Sequence, residues 1–330
     1  MPSIADTTVE MVQLVFPEHA GAPGQIHGGR MMEWITEAGT MAAGRVARGP
    51  VVLGAMDDID FLAPVRVGEI AILRAQVEAS GSSSLEIGVR VWAENVGTGR
   101  RTVTQGSHLV FVSVSEDVKP WPIQARIAPA TADEGRLFEE AQRRRAERLR
   151  RFAQRRTSEA AGPTDGDDDV RWRFESVRSV LPDDALFGNV MFPGKMLKEI
   201  DEAGGILSMR YCEGFVMTAC LDAMDFYAPT RTHEVLIFKA ALNHVGTSSL
   251  EVGVKVLAET PWSGESRHAC TAFLTYVHLR PEADGRLRPT PCPPYTPETE
   301  AERRRWQAAL VRRARRLERV KRLKAALSTN

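Results

Sequence analysis

The sequence predicts an α+β protein in which one unit, a long central helix wrapped by a curved antiparallel sheet, occurs twice and packs as a pseudo-dimer. Three observations carry this expectation. A repeat runs through the chain at an offset of 165 residues, half of its 330. Each copy opens with one apolar pattern at helical spacing. Each then continues into segments rich in Val and Ile that are separated by Gly turns.

The repeat rests on three separated blocks in one register. Gly81-Ser82-Ser83-Ser84-Leu85-Glu86 matches Gly246-Thr247-Ser248-Ser249-Leu250-Glu251. Asp60-Phe61-Leu62-Ala63-Pro64 matches Asp225-Phe226-Tyr227-Ala228-Pro229, and Glu37-Ala38-Gly39 matches Glu202-Ala203-Gly204. Copies of about 110 residues are each large enough for a core of their own, and two are too few for a solenoid. They either hang as two beads on a string or pack as the subunits of an ancestral homodimer.

Within the first copy, residues 16–29 are rich in Gly and Pro and read as a loop. Met31, Met32, Ile35, Ala38, Gly39, Met41 and Ala42 follow at helical spacing, on residues small enough for close packing from several sides. Residues 51–61, 67–79, 84–95 and 102–114 read as strands, with period-2 stretches such as Leu85, Ile87, Val89 and Val91. The second copy repeats the order: a loop at 181–194, a helix at 196–211, then strands at 215–226, 234–245, 249–259 and 267–279. The expected boundaries are a first unit at 1–118, a linker with an Arg-rich helix at 119–172, a second unit at 173–282, and a Pro-rich segment with a C-terminal basic helix at 283–330. The run from Asp165 to Asp169 reads as a solvated acidic loop.

Composition excludes several classes. Hydrophobic residues make up 43% of the chain, and 43 Lys+Arg balance 43 Asp+Glu, so no net field draws it to nucleic acid or a membrane surface. No apolar run approaches the ~18–20 residues of a membrane span, and the first thirty residues do not read as a signal peptide. Cys212, Cys220, Cys270 and Cys292 lie in the second half of the chain without a CxxC pair, which argues against a disulfide scaffold or zinc ribbon and for a reducing, cytoplasmic place. No metal site is expected. Residues 143–156 and 303–324 are strongly basic. Without aromatic interleaving or a nucleic-acid motif they read as solvated amphipathic helices, resting Leu149 and Phe152, or Trp306, Leu310, Leu317 and Val320, on the sheet or a neighbour. Oligomer contacts are a possible addition.

The run Gly24-Gln25-Ile26-His27-Gly28-Gly29-Arg30-Met31-Met32, the block from Asp60 to Glu69, Ile200-Asp201-Glu202-Ala203-Gly204, Arg210-Tyr211-Cys212 and Phe273-Leu274-Thr275-Tyr276-Val277 resemble the tandem (double) hotdog-fold acyl-CoA thioesterases, above all the cytosolic brain-type long-chain hydrolases. The resemblance covers almost the whole chain. It implies hydrolysis of fatty acyl-CoA to free fatty acid and CoA, with no cofactor beyond the coenzyme A of the substrate. It also implies active sites at the pairing interface, each formed by the loop of one unit and the helix of the other. A trimer of tandem chains, without nucleic acid or membrane insertion, is implied as well.

Thioester hydrolysis needs an activated water or a nucleophile, and donors for the developing oxyanion. Asp201 lies inside an otherwise apolar helix pattern, where a carboxylate is costly unless hydrogen-bonded or used; the alternative is a surface Asp paired with Lys198. His27, Gly28 and Gly29 precede the first helix, where free N–H groups face an anion; the alternative is a simple N-terminal turn. The offset sets Thr36 against Asp201, and Phe192-Pro193-Gly194 against His27-Gly28-Gly29. Pro193 has no N–H to donate. One working site per chain is therefore expected.

The resembled family places an Asn at the loop position that is Gly21 here and Leu186 in the second copy; His19, Gln25 and His27 are the nearby polar side chains. Gly21 and Gly24 are expected to face substrate. Gly81, Ser83, Thr247 and Ser248 either bond CoA or simply cap their turns. Two other functions fit the residues less well: a non-catalytic acyl-CoA binding or sensing protein, and a hotdog hydratase or dehydratase. The latter pairs a His with an acid in a different loop context, and no such pair is read in either copy.

Overall fold

The computed structural model describes residues 1–158, 169–282 and 287–328. The acidic run at 165–168 and the side chain of Phe152 lie outside the described residues. The first unit comprises β1 (Val9–Leu14), α1 (Gly28–Ala47), β2 (Val51–Met56), β3 (Ile59–Asp60), β4 (Ile70–Ser80), β5 (Ser84–Glu94) and β6 (Arg101–Ser113), followed by α2 (Ala132–Ser158). The second comprises β7 (Arg173–Ser179), β8 (Ala185–Phe187), β9 (Val190–Met191), α3 (Pro193–Cys212), β10 (Phe215–Leu221), β11 (Met224–Asp225), β12 (Val235–Val245), β13 (Ser249–Thr260) and β14 (Glu265–Pro281), followed by β15 (Leu287–Pro289) and α4 (Glu300–Ser328). Among the described residues no helix is long and apolar enough to cross a membrane.

Helix α1 forms where the apolar spacing places it and buries Met31, Met32, Ile35, Ala38 and Ala42. Its small residues serve a close approach: a Cβ on Gly39 would meet the Phe111 ring at 3.1 Å. Arg48 ends the helix in the left-handed region (φ 56°) and returns its N–H to the Gly44 carbonyl. Helix α3 repeats the arrangement and ends on Glu213 at φ 50°.

Each sheet gains an edge strand absent from the expected pattern. β1 pairs antiparallel with β4, and β7 with β12. Both leave a face open, with Val12 and Val177 exposed, and carry charges there. A half-exposed, charged edge strand is suited to blocking further pairing, and for that reason it lacks the apolar run that marks a strand in sequence.

The two units pair their sheets edge to edge rather than hanging apart. β2 pairs β11 (Met56 with Met224, Ala55 with Asp225), and β3 pairs β10 (Ile59 with Leu221, Asp60 with Cys220). The resulting orders are β1-β4-β5-β6-β2-β11 and β3-β10-β14-β13-β12-β7. Phe226 N–H donates to Gly54 O and Phe61 N–H to Ala219 O, each at 3.0 Å. One apolar core contains side chains of both long helices and both sheets. The bead-on-a-string alternative is thereby excluded, and the pseudo-dimer stands.

The basic helices pack the other way round from the expectation. Arginines face the sheets and leucines face out: Leu149 is 59% exposed and Leu317 55%, whereas Arg148 and Arg316 are buried. Arg148 bonds Glu86 at 2.9 Å and Asp57 at 3.2 Å, and Arg144 pairs with Glu78. On α4, Arg316 bonds Asp222 at 3.0 Å and Arg312 bonds Glu251 at 2.6 Å. Arg319 spans the two units, reaching Asp60 at 2.6 Å and Asp58 at 2.8 Å. The outer faces of the sheets carry these acids beneath the helices, and a buried carboxylate needs a paired cation. Trp306 does pack as expected, its ring 4.3 Å from that of His244.

Candidate active site

Where the loop before α1 meets α3, β10 and β14, the units enclose a cavity of about 310 Å³. His19, Gly21, His27, Gly28 and Arg30 line it from the first unit; Lys198, Asp201, Thr218 and Tyr276 line it from the second. Gly24, Gly81, Ser83, Thr247 and Ser248 are not among its walls. Gly24 takes a turn at φ 70°, and its carbonyl accepts Val67 N–H. Around the two repeated turns, Ser82 and Thr247 carbonyls accept Ile123 and Cys292 N–H, each at 2.8 Å. These turns fasten the segment that follows each sheet.

Asp201 is the centre of the site. Its helix position turns it inward, 1% exposed, so Lys198 is not its partner. Oδ1 accepts the Thr218 hydroxyl at 2.7 Å and the Tyr276 hydroxyl at 3.1 Å. Tyr276 also donates to the Asp201 carbonyl at 2.9 Å. Oδ2 accepts Gly29 N–H across the unit boundary at 2.6 Å and lies 3.5 Å from His27 Nδ1. Burial first, and then the Asp201 charge, push the Tyr276 phenol well above its ordinary value, so it stays a donor. Several donors converging on one buried carboxyl group satisfy the oxygens that burial cuts off from water.

The glycines divide their work. Gly29 N–H is directed onto Asp201 rather than left free at the helix start. Gly28 opens α1, so its N–H has no intrahelical carbonyl to bond and lies at the positive end of the helix dipole. Neither position has room for a side chain. A Cβ on Gly28 would stand 2.5 Å from Thr218 Oγ1, and one on Gly29 would stand 2.8 Å from Lys198 Cα. His27 Nδ1 is buried without a hydrogen-bond partner, beside the carboxylate. A histidine–acid pair that neither copy holds alone is thus assembled between them. His19, by contrast, is engaged: its Nδ1 accepts Phe16 N–H at 3.1 Å and its ring rests edge-on to Trp34.

Thr218 and Tyr276 are the site residues for which the sequence reading assigned no role. The repeat contained the signal. At the same offset Thr218 corresponds to Leu53 and Tyr276 to Phe111, so polar groups stand in one copy where the other is apolar.

Comparisons with known proteins agree with this architecture. The thioesterase superfamily model matches residues 23–99 and again 188–262. The cytosolic acyl coenzyme A thioester hydrolase of Mus musculus is 28% identical over 315 residues, covering 91% of this chain and 80% of its own. Protein VdlD of Helicobacter pylori is 38% identical over 134 residues, 41% of this chain and 74% of its own. A crystal structure of an apo-hexameric acyl-CoA thioesterase is 34% identical with a TM-score of 0.44, covering 46% of this chain and 96% of that one. The chain belongs to the thioesterase superfamily and carries its domain twice.

Proposed function

We infer that the chain is an acyl-CoA thioesterase, hydrolysing a fatty acyl-CoA to the free fatty acid and CoA at one site between its two units. The observation that carries this reading is the buried Asp201 carboxylate, held by Thr218, Tyr276 and Gly29 and opening onto a cavity walled by both units. The relatives named for the same reaction support it. A cytoplasmic place follows from the relatives named as cytosolic.

In this mechanism the thioester carbonyl lies at the start of α1, where the Gly28 N–H and the helix dipole stabilise the developing oxyanion. Asp201 acts as base toward a water, or as the nucleophile itself, with its free electron pair directed at the carbonyl carbon. Collapse of the tetrahedral species breaks the C–S bond, giving the fatty acid directly where water attacked, or an acyl–Asp201 anhydride that a water then hydrolyses to the fatty acid and the free carboxylate. The CoA thiolate then takes up the proton that the attacking water gave to Asp201; His27 Nδ1 lies 3.5 Å from that carboxylate. Thr218 and Tyr276 are positioning residues that fix the carboxylate.

An assay of thiol release over a series of acyl-CoA chain lengths, with products identified by mass, tests the reading. Free CoA and fatty acid are expected. An enoyl product would transfer the His27–Asp201 pair to hydratase chemistry, and binding without turnover would make the chain a sensor. We also infer that three chains assemble, since the hexameric relative would then be matched unit for unit. Light scattering giving a mass other than three chains would reject that assembly.

A further inference from the structure

A second cluster of reactive side chains lies apart from the cleft. Cys212 is the last residue of α3, His278 sits in β14, and Cys292 follows in the Pro-rich segment. One sulfur from each cysteine and a ring nitrogen of His278 all lie within 4.8 Å of one another. From Asp201, Cys212 is eleven residues further along α3, about 16 Å of helix.

The histidine shows what the cluster is suited to hold. His278 is 1% exposed, and its Nδ1 lies 3.0 Å from the Pro291 carbonyl. A carbonyl only accepts, so Nδ1 carries the proton and Nε2 presents a lone pair. Nε2 is buried without a hydrogen-bond partner. A buried, unmatched acceptor costs free energy unless something binds it. One ring nitrogen held by a backbone carbonyl, with the other left as a lone pair, is the usual state of a metal-ligating histidine.

The backbone around the three residues is tied in place. Cys292 N–H donates to Thr247 O at 2.8 Å, Thr290 N–H to His278 O at 2.9 Å, and His278 N–H to Ser248 O at 3.0 Å. The Tyr211 hydroxyl donates to Pro293 O at 2.9 Å. Around a tetrahedral zinc ion the ligand atoms stand about 3.8 Å apart for two sulfurs and about 3.6 Å for sulfur and nitrogen. The three ligand atoms, all within 4.8 Å of one another, close to those separations around a bound ion.

We propose that Cys212, His278 and Cys292 form a Cys₂His site for a thiophilic divalent metal ion of the Zn²⁺ class, which staples the C-terminal segment to the end of α3. Two thiolates and an imidazole match the donor set that such ions prefer over oxygen-binding ions. Binding displaces one proton from each thiol and leaves one coordination position for water. The sequence reading missed the site because its ligands come from three elements with no short CxxC spacing.

Cobalt(II) titration of the full chain, stripped with chelator and kept reduced, tests this. One equivalent per chain is expected, with intense thiolate-to-cobalt charge transfer and tetrahedral ligand-field bands, both abolished by competing zinc chloride. Cys292→Ala changes a half-buried position on the connecting segment; with an unchanged circular dichroism spectrum it should weaken cobalt binding at least about 100-fold. His278→Gln should do the same. No charge-transfer band at one equivalent, a band that survives in Cys292→Ala, or a Cys212–Cys292 disulfide as the stable form in reductant would each overturn the proposal. These readouts do not depend on thioesterase turnover.

Discussion

The two interfaces between the units are related by the repeat, and they have diverged in kind. At one, His27, Asp201, Thr218 and Tyr276 converge on a cavity. At the other, the corresponding residues are Phe192, Thr36, Leu53 and Phe111. Leu53, Phe111, Phe192 and Pro193 wall a second cavity of about 200 Å³, and the Thr36 hydroxyl is spent on the Met32 carbonyl of its own helix at 2.8 Å. The acid and its donors are present together or absent together. The reason is energetic: a carboxylate at position 36 would face Leu53 and Phe111 with no hydroxyl to meet it, and hydroxyls without a carboxylate would be buried unmatched. Duplication lets one chain carry the polar cluster at one interface and an apolar-walled cavity at the other.

The largest effect expected from this contrast is on turnover. Asp201→Asn should lower kcat by about 10²–10⁴-fold while Thr36→Ala leaves it within about twofold. Steady-state thiol release measures both, and similar losses in the two variants would refute the assignment of one working site. Introducing the acid at the other interface reverses the test. Thr36→Asp should destabilise the chain by at least about 3 kcal/mol without adding activity, because no donor awaits it. Urea unfolding reads the first effect, and an unchanged midpoint would show that the second interface still tolerates charge.

The helices on the backs of the sheets extend the comparison in the opposite sense, because there the two halves agree. Arg148→Met and Arg316→Met should each cost about 3–5 kcal/mol, since each removes the hydrogen-bonded cation of a buried carboxylate, Glu86 or Asp222. Arg150→Met, on the exposed face, should stay within about 0.5 kcal/mol. Unequal losses at 148 and 316 would mean that α2 and α4 are not equivalent staples. Within the working site, Tyr276→Phe removes one donor to Asp201 and should lower kcat about 10-fold with little change in KM.

The smallest effect concerns the start of α4. Burial alone would raise the Glu302 pKa, but Arg171 and the N–H groups of Glu298, Arg171 and Thr299 hold it at about 2, against an ordinary 4.5. A depressed acid stabilises the fold fully above its unfolded value, so this contribution is complete above about pH 4.5 and fades as pH falls toward 2. Glu302→Gln should therefore flatten the acid limb of thermal stability between those values. An acid limb that is unchanged in the variant would assign that limb to other carboxylates.

Much of this molecule was legible before any coordinates. The repeat, the order of loop, helix and strands, and an acid, Asp201, inside an apolar helix pattern all follow from local spacing, which the backbone periodicities of helix and strand impose directly. The edge strands β1 and β7 escaped because one exposed, charged face dilutes that signal. The inward arginines escaped for a related reason. A helix pattern shows two faces but not which one meets the sheet, and here acids on the back of the sheet attract the charged face. The bond from Gly29 N–H to Asp201 spans 172 residues, and that from Tyr276 spans 75. Contacts of that range arise only when two sheets have paired and two helices have closed on each other. Sequence alone therefore determined which residues were available for chemistry. Tertiary packing decided which of them meet, because hydrogen-bond donors choose their acceptor by distance and burial and not by position in the chain.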